Sequence, residues 1–325
     1  MNHNGSLETA KKMAEAAKKA GADYVKFQTF VPRELVTAGA GTASYQKETD
    51  GASSQLELLG RLALPENAFR KLEQCCRQLG IGFLSTPFDF PSMDFLSSLS
   101  MDYWKVPSGE LTNLPYLERI GRTRKRVLLS TGMGEMDEIR DAVGILEENG
   151  APEITLLHCT TQYPASYADV NLLAMKQMET AFHKKTGYSD HTLGIEIPIA
   201  AAALGARVIE KHFTLDRDMK GPDHRASLEP EELAAMAAAV RNIEAALGDG
   251  VKRRTESEES NLHAARKSIV AAKGIKAGEI FTEENLSVKR PGEGISPMEW
   301  HRVLGKRSGR DYKQDELIQR DWADA

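Results

Sequence analysis

The chain has 325 residues, 41% hydrophobic and 27% charged, with a net charge of −5, the proportions of a globular protein with room for one large domain and one small one. The longest apolar run, residues 197–204, falls far short of the ~20 needed to cross a bilayer, and no basic start with an apolar run marks a secretory signal, so neither membrane nor export is expected. Charge is spread without a basic face or aromatic–basic interleaving, which excludes nucleic acid, and Cys75, Cys76 and Cys159 lack metal-ligand spacing and read as buried thiols of a reducing cytoplasm.

Residues 1–6 read as a loop leading into a helix over 7–20, and a short apolar strand follows at 24–27. Further strands are expected at 82–85, 103–106, 127–130, 154–159, 186–189 and 208–212, each ending in polar residues. Helical spacing covers 69–79, 139–148 and 233–247, the last closed by Gly248. This alternation is that of repeated βα units, so the fold class is α/β, a (β/α)8 TIM barrel over residues 1–248.

Seven strands are visible, and the eighth is expected ahead of the opening loop, as if the start lay too late or the chain were a fragment. A strand burying four side chains at ~1.5–3 kcal/mol each would rival the ~5–15 kcal/mol net stability of a domain, so a barrel without it is expected to be frayed. Residues 249–261, with Lys252-Arg253-Arg254 and then Glu256, Glu258 and Glu259, read as an exposed linker. A small α+β domain follows over 262–325, with a strand at 268–272, a turn at 276–279 and a capped helical turn at 282–285. Ser296-Pro297-Met298-Glu299 has the side chains of a capping box.

Catalytic groups in such a barrel sit where strands end. Those positions hold Lys26 and Gln28, Thr86 and Asp89, then Lys105, Ser108 and Glu110, then Ser130 and Thr131, then residues 160–163 with Thr161 and Tyr163. Ser189, Asp190 and His191 close the next strand, and Glu210, Lys211 and His212 the last. Two lysines, several hydroxyls and the amides of residues 132–134 near a helix start suit a phosphate or carboxylate; the alternative for Lys26 and Lys105 is a salt bridge with Glu110 or Glu210. His191 and His212 both end strands and would point into one mouth, where two imidazoles with oxygen donors suit an octahedral ion such as manganese better than a closed structural zinc. His158 and His183 read as structural. Glu110 follows a Pro-Ser-Gly turn that aims its carboxylate at the site or places it at a helix start, and Asp223 lies in Gly221-Pro222-Asp223-His224, a loop over a sugar or a plain turn.

In order along the chain, Asn2-His3-Asn4-Gly5-Ser6, Val25-Lys26-Phe27-Gln28, Ser85-Thr86-Pro87-Phe88-Asp89, Lys105-Val106-Pro107-Ser108-Gly109-Glu110 and Ser130-Thr131-Gly132-Met133 resemble the sialic acid (N-acetylneuraminate) synthases and their legionaminic acid relatives. The likeness continues through Ser189-Asp190-His191-Thr192, Glu210-Lys211-His212-Phe213-Thr214, Gly221-Pro222-Asp223-His224 and Lys289-Arg290-Pro291-Gly292. The resemblance implies a cytoplasmic transferase that condenses phosphoenolpyruvate with N-acetylmannosamine to give N-acetylneuraminate and phosphate by carbon–oxygen cleavage. It also implies a C-terminal antifreeze-like domain and a domain-swapped homodimer.

By motif match, His191 and His212 would bind manganese, with magnesium or cobalt as substitutes, and polarise the sugar aldehyde. Lys26, Thr86, Lys105, Ser108, Ser130 and Ser189 would hold phosphoenolpyruvate, and Gln28, Thr161, Tyr163, Asp223 and Arg290 would face the sugar, Arg290 from the partner's antifreeze-like domain. Glu110 would take the proton of the water that adds at carbon 2. The family carries a strand ending in Glu-Ile-Gly before the Asn-His motif. Thr161 stands where several sialic acid synthases have asparagine and legionaminic enzymes often threonine, so N,N'-diacetyllegionaminate synthesis from a 6-deoxy diacetamido sugar is the alternative. A Schiff-base aldolase using Lys105 or Lys26 and a non-catalytic sugar-binding protein are the competing readings.

Overall fold

The computed structural model describes residues 1–37 and 54–322. The chain divides into two compact units, Met1–Gly248 and Asp249–Ala325. None of the described helices is long and apolar enough to cross a membrane.

In the larger unit β1 (Tyr24–Thr29) pairs in parallel with β2 (Gly82–Pro87). A second parallel sheet runs in sequence order through β3 (Tyr103–Val106), β4 (Arg126–Ser130), β5 (Ile154–His158), β6 (Lys185–Asp190) and β7 (Ile209–Lys211), and β2 lies against β3. The strands are short because each stops where polar side chains begin, and β4 and β5 are the most covered, through Val127, Leu129, Ile154, Leu156 and Leu157.

Helices cover the outside for a reason legible in their spacing. Leu7–Lys19 buries Ala10, Met13, Ala14 and Ala17 on one stripe, and its N-cap Ser6 accepts from the Thr9 amide. Glu66–Leu79 buries Ala68, Phe69, Leu72 and Cys76 and ends at Gly80, whose φ of +68° is the left-handed geometry of a helix C-terminus.

Among the described residues no strand lies between β1 and β7. A cavity of about 600 Å³ runs there, with Val25 and Ile209 on its flanks and the apolar helix faces of Met13, Ala17, Leu233 and Met236 behind it. The seven strands expected from the sequence are present, and the closing strand of a complete eight-stranded barrel is not among the described residues.

The stretch expected as a linker is exposed, but part of it is ordered: Glu256–Ala265 is a helix, because Thr255 and Glu258 form a capping box that outweighs the charge of the run. In the smaller unit β8 (Ser268–Ala271) pairs antiparallel with β9 (Leu286–Lys289) over a core that includes Ile269, Ile275, Phe281, Val303 and Ile318. Residues 282–285 form the single turn expected, the Asn285 and Leu286 amides donating to the Thr282 carbonyl and the Asn285 side chain accepting from the Thr282 amide. One local expectation changes. Ser296 caps through the Met298 amide, while Glu299 gives its carboxylate to Arg320 rather than back to the cap.

Candidate active site

The ends of β1, β3, β4, β6 and β7 converge on one carboxylate. Glu210 accepts from the Ser189 hydroxyl at 2.9 Å, and the ammonium groups of Lys26 and Lys105 stand 4.0 and 3.9 Å from it. Lys105 is 3% exposed and donates to Ser130 Oγ at 2.6 Å and to the Val106 carbonyl at 3.2 Å. Two cations against one carboxylate leave one positive charge in excess, in a place where water screens weakly. The lysine partner anticipated from the sequence as Glu110 or Glu210 is thus Glu210; Glu110 instead accepts from Asn113 in the turn Ser108–Glu110.

The charge states follow from burial and neighbours. Burial pushes the Glu210 carboxyl up, but Lys105 and Lys26, with the Ser189 hydrogen bond, outweigh it and hold it down at about 2. Burial lowers the Lys105 ammonium, against the pull of Glu210. Burial raises the Glu110 carboxyl, partly opposed by Asn113, which moves it toward the range of a general base.

Around this centre lie hydroxyls and amides. Thr86 Oγ1, on the strand next to Lys26, is buried without a hydrogen-bond partner among the described residues, and Gln28 is its register partner across β1 and β2. Ser108 Oγ accepts from the Gly132 amide at 3.0 Å and lies 3.2 Å from Cys159 Sγ. A Cβ at Gly132 would come within 2.5 Å of Thr161 Oγ1 and 2.8 Å of Ser108 Oγ, so only glycine lets that backbone amide approach. An orphan hydroxyl and excess positive charge make a receptor for an anion.

Beside it the two expected histidines meet, with ring centroids 5.3 Å apart. Tyr163 lies against both, 4.2 Å from His191 and 5.7 Å from His212. His191 Nδ1 is 2.6 Å from the Thr160 carbonyl, which makes Nδ1 the protonated nitrogen and frees Nε2. Burial lowers both pKa values, His212 to about 3, so both rings are neutral with lone pairs available. The His212 side chain makes no hydrogen bond among the described residues, and no third His, Cys, Asp or Glu joins the pair there. These rings fit a divalent ion that takes its remaining ligands from water or substrate oxygen.

Asp223 is buried, and its charge opposes the fall of the His212 pKa. Thr161 is exposed, and Arg290, in the smaller unit, is exposed with Nε donating to the Ala265 carbonyl. His158 bonds the Val170 carbonyl, and His183 caps a helix in a left-handed conformation.

Sequence reading gave no role to Glu210 as a hub, to Cys159 beside Ser108, or to buried Asn2 and His3. Period-two alternation after the last two strands would have put 189, 191, 210 and 212 on one face. Asn2 Nδ2 donates to the Phe213 carbonyl and Ser227 Oγ, tying the opening loop to the end of β7. His3 is 4% exposed, and burial lowers its pKa to about 3.

Below pH 6.5 the unfolded chain therefore protonates His3 while the folded one does not, and stability is lost as pH falls toward the folded value. From pH 6.5 to 5 this one group costs about 2 kcal/mol. Urea midpoints at pH 7 and 5 should differ less in His3→Gln than in the parent; equal differences would contradict it.

The NeuB family matches residues 13–252 and the SAF domain residues 266–321. The chain is 51% identical over 321 residues to the N,N'-diacetyllegionaminic acid synthase of Campylobacter jejuni, covering 98% of this chain and 96% of that one. It is 43% identical to the enzyme of the same name from Legionella pneumophila, over 94% and 88% of the two chains. A crystal structure of N-acetylneuraminic acid (sialic acid) synthetase from Leptospira borgpetersenii, in complex with citrate, superposes with a TM-score of 0.72 at 32% identity over 80% of this chain and 86% of that one. With parallel βα units, a mouth of lysines, hydroxyls and paired histidines, and matches along both units, the chain belongs to the NeuB family of synthases and carries a C-terminal SAF domain.

Proposed function

We propose that the chain condenses phosphoenolpyruvate with an acylated amino sugar, releasing phosphate and forming a nonulosonic acid. The observation that carries this reading is the excess positive charge of Lys26 and Lys105 over Glu210, set beside a pair of neutral histidines. Lys26, Lys105, Ser130, Ser108, Ser189 and the orphan Thr86 hydroxyl hold and orient the enol phosphate. Gln28, Thr161, Tyr163 and Asp223 face the sugar.

His191 and His212 would hold a divalent cation, manganese by donor type, that supplies Lewis-acid polarisation of the sugar's aldehyde. Carbon 3 of the enol phosphate attacks that aldehyde, and positive charge develops at carbon 2 beside the carboxylate of Glu210. Glu110, raised by burial, takes a proton from the water that adds at carbon 2, and phosphate leaves by carbon–oxygen cleavage. The three cysteines are free thiols, which supports a cytoplasmic enzyme.

Of the two acceptors, the 6-deoxy diacetamido sugar that gives N,N'-diacetyllegionaminate is favoured over N-acetylmannosamine. It draws support from the 51% and 43% identities to enzymes of that name, against 32% to a sialic acid synthetase, and from threonine at 161. The working form is a domain-swapped homodimer in which Arg290 of one copy serves the other's sugar. The exposed apolar side chains of Met133 and Tyr167, 70% and 59% accessible on loops after β4 and β5, are surface such an assembly would cover.

Phosphate release measured with each sugar tests the reading. Release with the diacetamido sugar is expected to exceed that with N-acetylmannosamine at least tenfold in kcat/KM, and to stop with chelator and return with manganese. Release that ignores chelator sinks the metal assignment, and the reverse order of sugars sinks the acceptor.

A further inference from the structure

β7 shares only a short ladder with its neighbour β6. It is three residues long, pairs with β6 over three rungs, and borders the cavity on its other side. A slip of one rung would displace His212 by about 3.3 Å and turn it to the opposite face of the sheet, away from His191.

The last rung carries an unusual pair. Asp190 and Lys211 are register partners, their side chains 0% and 1% exposed, and each directly precedes one of the two histidines. Lys211 Nζ donates to Asp190 Oδ2 and to the Thr192 carbonyl. Asp190 Oδ1 in turn accepts from the Thr192 amide at 3.0 Å and the Thr192 hydroxyl at 2.9 Å. The backbone on both sides of His191 is thereby tied to the side chain that precedes His212.

Buried ion pairs are poor stabilisers, because desolvation of both charges cancels much of their attraction, and well-packed neutral replacements are often as stable. Their best-attested use is to specify one arrangement over its neighbours. Gly187 one turn of the pleat below fits the same task, since a Cβ there would come within 2.5 Å of the Val208 carbonyl and push β7 off β6.

We propose that Asp190 and Lys211 are positioning residues whose buried ion pair pins the final rung of β6 and β7 and so sets the spacing of the His191 and His212 rings. This rests on the reading of those rings as a cation site. Neither residue touches the anion receptor around Lys105, and Glu210, one rung back, has its own hold on Ser189, Lys26 and Lys105, so loss of the pair is felt first at His212, past the last rung.

The test compares the parent, Asp190→Asn/Lys211→Met, which removes both charges while leaving an acceptor for the Thr192 amide, and the isosteric Asp190→Asn. Three quantities are read: melting temperature, Mn²⁺ affinity by electron paramagnetic resonance, and phosphoenolpyruvate affinity by calorimetry. The double variant is expected to melt within a few degrees of the parent and bind phosphoenolpyruvate as before, with Mn²⁺ binding weakened about 10- to 100-fold, the range for groups that orient metal-binding histidines. The single variant leaves the buried Lys211 ammonium without a counterion, so it should melt below the double variant while showing the same preferential loss of Mn²⁺ over phosphoenolpyruvate.

Parental Mn²⁺ affinity in whichever variant folds overturns the proposal, and so does a parallel loss of all three quantities, which would mark a purely structural pair. Failure of the cation reading itself is distinct, since it appears in the parent as no Mn²⁺ binding. The imidazole ring-proton shifts of His191 and His212 then decide: shifts unchanged in the double variant overturn the proposal.

Discussion

Replacing His212 by alanine is expected to lower phosphoenolpyruvate-dependent phosphate release by about 10³-fold or more, ~4 kcal/mol of barrier, while leaving the fold intact. The ring is partly buried, neutral and without a protein hydrogen bond among the described residues, so its removal orphans no partner and leaves only a small void at a strand end. A histidine kept there for stability would be expected to satisfy its polar nitrogens, as His158 does with the Val170 carbonyl. His212→Ala should therefore separate stability from function: a modest shift in melting temperature, normal phosphoenolpyruvate binding through the lysine side of the site, and almost no turnover. A non-catalytic sugar-binding protein would keep its ligand affinity in the same variant, and turnover within a few-fold of the parent would remove the histidine pair from the reaction altogether.

Much of this arrangement is legible in the sequence because local signals suffice for it. Each of the seven strands is a short apolar run closed by polar residues, and the polar residues that close them are the ones found at the mouth. Edges are less legible. The last helix of the larger unit starts at Pro230 rather than at 233, because Glu229 and Glu232 make a capping box that adds a turn before the apolar spacing begins. The last strand of that unit, expected over 208–212, is Ile209–Lys211, since the His212 carbonyl is taken by the Leu228 amide rather than by the ladder.

What the sequence hides is partner choice across the fold. The strand ends offer both Glu110 and Glu210 as lysine partners, and only the register of Ser189 with Glu210 and the depth of Lys105 decide it. Asp190 and Lys211 stood among the polar strand ends without a role, because an ion pair between residues 21 apart requires the rung that aligns them. Thr86 shows the same limit: a threonine at a strand end is ordinary, and its hydroxyl becomes informative only when burial leaves it without a partner.

The second large effect is expected at Lys105. Lys105→Met should raise the KM for phosphoenolpyruvate about 10²- to 10³-fold, with a smaller fall in kcat, because it deletes a buried cation and leaves Glu210 facing the incoming anion with only Lys26 to offset it. That account makes the loss divisible. Adding Glu210→Gln removes the repelling carboxylate, so the double variant should recover part of the affinity, and the coupling between the two positions should be of order 1–3 kcal/mol. Stability should hold in the double variant, since burial disfavours the Lys105 charge and the fold gains from its removal. The same lowered ammonium is what an imine-forming nucleophile needs, and borohydride discriminates. An anion-binding Lys105, held by Ser130 and the Val106 carbonyl, gives no covalent adduct when substrates and borohydride are added together, whereas a Schiff-base route gives a stable mass increase on that residue. Additive losses in Lys105→Met and Glu210→Gln, with an adduct on Lys105, would transfer the chemistry from an electrostatic cradle to a covalent one.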